Sequence, residues 1–167
     1  MKKIMIAGPV GSGKTTLAKK LSVEKAIPFY ELDNLIWKRL PEGDRPYSKE
    51  ESNQQLQHIL TKEAWIIEGT TTNEWIKPAV DDANIILLLL PAYPIRVFRI
   101  LKRFIKQKTK REAAHYQPTL KLLKMMFIWN HHFEEKNIFK LHKLAESSPD
   151  KLILLKSYDS YSTYKKL

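Results

Sequence analysis

The sequence predicts an α/β fold, a three-layer αβα sandwich built on a five-stranded parallel sheet. Short apolar runs alternate with amphipathic helical stretches along the chain, which is typical of parallel strands joined by right-handed helical crossovers. The run from Asn84 to Leu90 is uniformly apolar, as strands covered on both faces are. The 167 residues suffice for one domain with a substantial core.

Each element is predicted from its local pattern. The five predicted strands are residues 2–7, 27–32, 64–67, 84–90 and 151–156. The five predicted helices are residues 15–25, 49–61, 94–107, 119–145 and 160–167, and the fourth is one long helix or two. Ser48 is placed to cap the second helix, with Glu51 three residues later completing a capping box.

Composition narrows the class of protein and its partners. The formal net charge of +11 favours anionic partners such as nucleotides, nucleic acid or an acidic membrane surface. The absence of cysteine excludes disulfides and thiolate metal sites. Gly11 interrupts the apolar N-terminal run too early for a signal peptide, and the longest apolar run is too short to cross a bilayer. We therefore expect a cytoplasmic protein without a membrane partner.

The most specific motif is a phosphate-binding loop that fits the pattern G-x-x-x-x-G-K-[ST]. Its glycines let backbone N–H groups point at phosphate oxygens, and the following helix adds the positive end of its dipole. Lys14 is suited to neutralise the last two phosphates, and the Thr15 hydroxyl is suited to bind Mg²⁺. We expect ATP and Mg²⁺ as cofactors. The predicted nucleotide-binding residues are Gly8, Pro9, Val10, Gly11, Ser12, Gly13, Lys14, Thr15 and Thr16.

The remaining motifs favour one class of phosphate-loop protein. The chain lacks the Asn-Lys-x-Asp motif with which Ras-type GTPases read guanine. The long apolar strand ends in Pro91, where motor-like and AAA-type ATPases usually carry an acidic residue. Asp33 and Glu68 instead follow two short strands, and ligands of parallel sheets bind beyond such strand ends. This arrangement suits a small kinase whose acceptor lies across the sheet edge from ATP.

Four segments together resemble one group of proteins. They are the phosphate loop, Glu31-Leu32-Asp33-Asn34-Leu35-Ile36-Trp37, Trp65-Ile66-Ile67-Glu68-Gly69 and the helix carrying Arg99-x-x-x-Arg103. With them the chain resembles, over nearly its whole length, adenylate-kinase-like P-loop proteins of the DNA topology modulation (FlaR-type) group. In that group the motif after the third strand usually reads Asp-Gly-Asn-Tyr. Here it is Glu68-Gly69-Thr70-Thr71, which keeps the acid and changes the residues expected to face the substrate.

The resemblance implies a P-loop fold like that of nucleoside monophosphate (NMP) kinases, in a single domain spanning residues 1–167. It implies an acceptor-binding insertion at about residues 33–62 and a short lid at about residues 107–118. It also implies roles for individual residues. Asp33 orients the acceptor hydroxyl or acts as a base, Glu68 holds water on Mg²⁺, and Arg99 and Arg103 contact ATP. Arg111 is the candidate lid arginine that closes over the transferred phosphoryl group.

These residues form the predicted site. The predicted catalytic residues are Lys14, Asp33, Arg99, Arg103 and Arg111, and the predicted metal ligands are Thr15 and Glu68. The alternative for each acid is a helix cap or turn residue, because Asp commonly begins turns. The alternative for the arginines is a solvated charged face. Arg39 and Arg45 lie where an acceptor is expected, and either could hold an anionic one.

The basic helix allows a second interpretation. Basic side chains recur every three or four residues on one face, and apolar side chains occupy the opposite face. The basic stripe is Arg96, Arg99, Arg103, Lys106 and Lys110; the apolar stripe is Ile95, Phe98, Leu101 and Ile105. Such a stripe can bind nucleic acid phosphates, but no base-reading motif accompanies it, so specific nucleic-acid binding is less favoured.

The sequence therefore leads to two hypotheses about function. The favoured one is ATP- and Mg²⁺-dependent phosphoryl transfer to a small acceptor, which is a nucleoside, a nucleotide or another small molecule. The alternative is a nucleotide-dependent regulatory or DNA-associated protein with weak ATPase activity. An acceptor that accelerates ADP production would favour the first, and nucleotide-dependent, salt-resistant DNA binding would favour the second. The sequence does not identify the acceptor.

Overall fold

The computed structural model describes residues 2–40, 43–70, 72–111, 118–157 and 161. Its strands are β1 (Lys3–Ala7), β2 (Phe29–Glu31), β3 (Trp37–Lys38), β4 (Arg45–Pro46), β5 (Trp65–Gly69), β6 (Ile85–Leu89) and β7 (Leu152–Leu155). Its α-helices are α1 (Lys14–Lys25), α2 (Leu32–Ile36), α3 (Lys49–Leu60), α4 (Lys77–Asp82), α5 (Tyr93–Lys108), α6 (Leu120–His132) and α7 (Ile138–Leu144). Short 3₁₀ turns at Glu74–Ile76 and Pro149–Lys151 precede α4 and β7.

Five parallel strands form the main sheet, in the order β2-β5-β1-β6-β7. Strand β1 lies at its centre, where Ile4 pairs with Ile66 on one side and Ile85 on the other. Strands β3 and β4 form a separate antiparallel pair. The parallel sheet with helices on both faces confirms the predicted α/β fold. The carboxyl ends of β1, β2 and β5 therefore meet at one edge.

Side chains of the sheet alternate between two cores, as the period of two along a strand requires. Ile4 and Ile6 of β1 pack against Leu17 and Leu21 of α1 on one face. Met5 points to the other face, where the core includes residues of α2, α3, α4 and α7. Each face of the sheet is thus covered by helix, which explains why strand β6 contains only buried apolar residues.

The second strand is shorter than predicted. Residues 27–32 were expected to be extended, but β2 ends at Glu31 and Leu32 begins α2. Leu32 and Leu35 are buried in the core, so packing favours a helical turn over an extended chain. Asp33 consequently lies in the first turn of α2 rather than in a turn after a strand. The capping box of Ser48 and Glu51 at α3 agrees with the prediction.

The predicted helical region 119–145 contains two α-helices joined by a π-helical turn, Phe133–Asn137. Thr119 caps its start by accepting a hydrogen bond from the Leu122 amide at 3.2 Å. Helix α4 and the β3–β4 pair were not predicted, because such short elements carry too little periodicity. The predicted helix 160–167 lies outside the described residues except for Tyr161, and the predicted lid 107–118 is described only at 107–111 and 118.

Candidate active site

The phosphate loop connects β1 to α1 and depends on glycine for its shape. Gly11 has φ = 78° and Gly13, the residue before α1, has φ = 99°, a region that disfavours residues with a Cβ. A Cβ on Gly11 would also lie 2.8 Å from the carbonyl oxygen of Arg96. The loop therefore packs directly against the backbone of α5, which fixes the position of its amides.

Lys14 begins α1, and its Nζ donates a hydrogen bond to the carbonyl oxygen of Pro9 at 3.0 Å. Burial lowers the pKa of Lys14, while the negative charges of Glu68 and Asp33 oppose that shift and Arg103 adds to it. The ammonium group thus lies within the electrostatic reach of both predicted acids. Its position within the loop is suited to neutralise the phosphates of a bound nucleotide.

Glu68 is buried near the end of β5, and its Oε1 accepts a hydrogen bond from the Thr15 hydroxyl at 2.7 Å. Burial raises the pKa of Glu68, opposed by the charge of Lys14 and by the hydrogen bond from Thr15. Two hard oxygen donors are thereby adjacent, which is the chemistry that Mg²⁺ prefers. The two predicted metal ligands therefore fit Mg²⁺ by chemistry and by position.

Glu31 is a third acid beside Asp33 and Glu68, and it was not predicted from the sequence. It pairs with Glu68 across β2 and β5, and its negative charge, like that of Asp33, contributes to the raised pKa of Glu68. The signal that could have identified it is its place at the end of the second strand, two residues before Asp33. Glu31, Asp33 and Glu68 all line the same cavity.

Of the three arginines predicted to be catalytic, Arg99 contacts the phosphate loop and Arg103 lies one turn further along α5. Arg99 Nη1 donates a hydrogen bond to the carbonyl oxygen of Ser12 at 2.9 Å. Arg103 is half-buried one turn later in α5, with its Nη2 3.6 Å from Met126 Sδ. Both line the cavity. Arg111 is exposed beyond the end of α5 and is absent from the described lining of the cavity.

The orientation of α5 corrects the predicted basic stripe at Arg96. Arg96 is fully buried, pairs with Glu134 of the π-helical turn and lies 5.3 Å from the ring centroid of Tyr93. The apolar stripe of α5 faces solvent instead, since Phe98 is 63% exposed and Ile105 is 59% exposed. The arginine face of the amphipathic helix therefore turns toward the phosphate loop and α6, against the usual rule that the apolar face turns inward.

A cavity of about 1130 Å³ joins these groups, and three walls enclose it. The phosphate wall comprises Val10, Gly11, Gly13, Lys14, Thr15, Thr16, Lys19, Arg99, Arg103 and Gln107. The acceptor wall, named for the predicted insertion, comprises Glu31, Asp33, Trp37, Arg39, Asp44, Gly69 and Thr70, and Glu68 lies between the two. The α6 wall, which the sequence did not reveal, comprises Leu122, Met126, Trp129, His132, Lys136 and Asn137.

The parallel sheet, the glycine-dependent loop and the lysine at the start of α1 define a P-loop nucleotide-binding protein. Comparison with known sequences narrows this class. A cytidylate kinase from Sulfurisphaera tokodaii is 30% identical in an alignment 130 residues long that covers 67% of this chain and 72% of that protein. A shikimate kinase from Bacillus cytotoxicus is 29% identical in an alignment 129 residues long that covers 68% of this chain and 76% of that protein. The chain belongs to the NMP-kinase-like family of P-loop proteins.

Other comparisons agree on the fold. The solved structure of shikimate kinase from Bacteroides thetaiotaomicron superposes with a TM-score of 0.59 at 16% identity, and the match covers 98% of both chains. The PduV-EutP family, described as ethanolamine utilisation - propanediol utilisation, matches residues 1–32, the part that includes the phosphate loop. The narrower resemblance to DNA topology modulation proteins is not confirmed and stays a prediction. Within the described part of the chain, no helix is long and apolar enough to cross a membrane.

Proposed function

We propose that the protein transfers the γ-phosphoryl group of ATP, bound with Mg²⁺, to a small-molecule acceptor. The observation that carries this proposal is the shared cavity, which the phosphate loop, two arginines and the acids of β2, α2 and β5 all line. Acids on the wall beside the phosphate loop can accept hydrogen bonds from the hydroxyl group of a second substrate. The kinase relatives support the same reaction class.

On the donor side, the loop amides and Lys14 bind the phosphates of ATP. Arg99 and Arg103 stabilise the charge that develops on the transferred group, since planar guanidinium groups match phosphate oxygens well. The hydrogen bond from Arg99 to the Ser12 carbonyl holds that side chain beside the loop. Thr15 and Glu68 would hold Mg²⁺, with Glu68 holding water on the ion, and the ion would neutralise the charge that develops on the phosphates.

On the acceptor side, Asp33 accepts a hydrogen bond from the attacking hydroxyl and orients it toward the γ-phosphorus. Alignment contributes more than basicity here, because the transition state of phosphoryl transfer is loose and places little demand on a base. Asp33 lies in the first turn of α2, and Leu32 and Leu35 of the same helix are buried in the core. This packing fixes the position of the turn and so supports the role of Asp33.

The orientation of α5 favours this function over nucleic-acid binding. Arg96 is buried and Arg103 is half-buried, so the basic stripe presents fewer cations to solvent than the sequence alone indicates. A nucleic acid on the outer face of α5 would meet the exposed apolar side chains of Ile95, Phe98 and Ile105. Lys102 lies among them, 5.9 Å from the Phe98 ring centroid, so this face offers backbone phosphates few cations.

The test is an acceptor screen that measures ADP production with Mg²⁺-ATP. The names of the relatives make cytidylate and shikimate the first acceptors to try, followed by nucleosides, sugars and small acids. A true acceptor raises ADP production many-fold above the rate with ATP alone, and Lys14→Ala abolishes the increase. Asp33→Asn lowers turnover and leaves ATP affinity nearly unchanged. Wild-type turnover in Asp33→Asn, or no stimulation by any acceptor, would refute the corresponding part of the proposal.

A further inference from the structure

The acceptor wall carries more negative than positive charge. Its ionisable side chains are Glu31, Asp33, Asp44 and Arg39, three carboxylates and one guanidinium. Arg45, the other arginine that the sequence offered for an anionic acceptor, lies on β4 and is absent from the described lining of the cavity. The neighbouring residues outside the described ranges, Pro41, Glu42 and Thr71, add no positively charged side chain to this stretch of sequence.

The single guanidinium of this wall is already paired. Arg39 forms an ion pair with Asp44, and its Nε donates a hydrogen bond to Asn34 Oδ1 at 3.3 Å. The Arg39 and Asp44 side chains are only 34% and 27% exposed, so the pair is partly withdrawn from solvent. An anionic acceptor would have to displace Asp44 to use Arg39, and the freed carboxylate would then remain beside it.

The remaining acids have no such partner. In the described ranges, neither Glu31 nor Asp33 forms a hydrogen bond or ion pair through its side chain, and both line the cavity. Lys14 interacts electrostatically with Asp33, but its charge is required by the nucleotide phosphates in the proposed function. An acceptor on this wall therefore meets uncompensated carboxylate oxygens, which accept hydrogen bonds from hydroxyl and amine groups and repel anions.

From this arrangement we infer the substrate class: an uncharged or amine-bearing alcohol, such as a nucleoside or an amino sugar, rather than a nucleotide or a carboxylic acid. The inference rests on the proposed function. The acceptor oxygen forms a bond to the γ-phosphorus, the bond from that phosphorus to the β,γ-bridging oxygen breaks, and ADP leaves. The hydroxyl proton passes to Asp33 and then to solvent. Trp37, 40% exposed on the same wall, offers a flat apolar surface for a ring of the acceptor.

The experiment compares matched pairs of acceptors that differ in charge. Each nucleoside is tested against its 5′-monophosphate, and each amino sugar or sugar against the corresponding sugar acid, with ADP production as the readout. The uncharged or amine-bearing member should have the higher kcat/KM by about tenfold or more, which corresponds to about 1.4 kcal/mol. A preference for the anionic members overturns the inference.

A variant tests the role of the paired arginine directly. Asp44→Asn removes the partner of Arg39, so kcat/KM for an anionic acceptor should rise several-fold while that for its uncharged counterpart changes little. Asp81→Asn is the matched control, because Asp81 is also ion-paired, with Lys77, but lies on α4 and does not line the cavity. Equal effects of the two substitutions would contradict the inference.

Lys136 of the α6 wall and Lys19 of the phosphate wall are further cations of the cavity that could hold an acidic acceptor. Neither Lys136→Gln nor Lys19→Gln should change kcat/KM for an anionic acceptor more than for its uncharged counterpart. A selective loss of the anionic acceptor in either variant would overturn the inference. The two outcomes of the acceptor comparison distinguish failure of the kinase function from failure of the charge preference alone. If no member of any pair stimulates Lys14-dependent ADP production, both proposals fail; if anions are phosphorylated best, the kinase function stands and only the charge preference fails.

Discussion

The Thr15 hydroxyl donates a 2.7 Å hydrogen bond to Glu68 Oε1 and so joins the start of α1 to the end of β5. The two residues are 53 positions apart in the chain, yet their oxygens are in contact. This contact fixes the Thr15 rotamer and holds Glu68 near the phosphate loop. A cation that enters between the nucleotide phosphates and this pair meets donors that are already arranged.

A change to either side chain should weaken the binding of the Mg²⁺ that turnover requires. We expect Thr15→Ala and Glu68→Gln each to raise the Mg²⁺ concentration for half-maximal ADP production by roughly tenfold to a hundredfold. The double variant should cost less than the sum of the single changes, since the two residues are in contact. Thr15→Ser, which keeps the hydroxyl, should behave like wild type. A Mg²⁺ titration that is unchanged in Glu68→Gln would exclude the metal role.

The raised pKa of Glu68 predicts a pH-dependent effect on stability without Mg²⁺ and nucleotide. Below the ordinary value of 4.5 the group is protonated whether the chain is folded or unfolded, so it has little effect. As pH rises from there through the higher pKa of the folded state, the unfolded chain releases its proton more readily, and folding becomes less favourable. The advantage of Glu68→Gln in melting temperature should therefore grow with pH, whereas exposed Glu146→Gln shows no trend. A pH-independent difference would contradict the raised pKa.

The sequence was sufficient to predict the parallel sheet and the place of the phosphate loop between β1 and α1. A uniformly apolar run indicates a strand that helices cover on both faces of the sheet. The phosphate loop requires glycine where φ is positive. Both signals are local, so they can be read from a few adjacent residues. Asp33 and Glu68 were singled out for a related reason, because each lies within two residues of the end of a short strand, β2 or β5.

The features that the sequence could not supply depend on distant parts of the chain. The periodicity of α5 shows two faces but does not indicate which one packs inward. Here the arginine face packs inward, because Arg96 forms an ion pair with Glu134, 38 residues away in the chain. The α6 wall is another case, since Trp129 and Lys136 carry no local motif and line the cavity only through the path of α6 and the π-helical turn. The charge of the acceptor wall likewise depends on the pairing of Arg39 with Asp44.

Gly69 predicts a direct coupling between β5 and the helix that carries Asp33. A Cβ at Gly69 would lie 2.7 Å from both Cβ and Cδ1 of Leu32, so Gly69→Ala must displace α2. We expect the free energy of unfolding to fall by about 1–3 kcal/mol, as for other overpacked sites. Turnover with the acceptor should fall, with ATP affinity nearly retained, because the phosphate loop is not displaced. Wild type is the reference for both measurements. A Gly69→Ala variant as stable as wild type would contradict the close contact.

The buried pair of Arg96 and Glu134 predicts an asymmetric response to its two halves. Arg96 is fully buried, and its Nε and Nη1 have no other hydrogen-bond partner in the described parts of the chain. Glu134→Ala leaves the buried Arg96 guanidinium without its partner, which should lower the free energy of unfolding. We expect a loss of only about 1–3 kcal/mol, because the Glu134 side chain is 40% exposed and already partly solvated. Arg96→Met removes the charge and keeps much of the volume, so Arg96→Met with Glu134→Ala should be more stable than Glu134→Ala alone. Urea unfolding measures these differences, and Glu135→Ala, at an exposed residue, is the control. A double variant no more stable than Glu134→Ala would show that the unpaired charge does not cause the loss of stability.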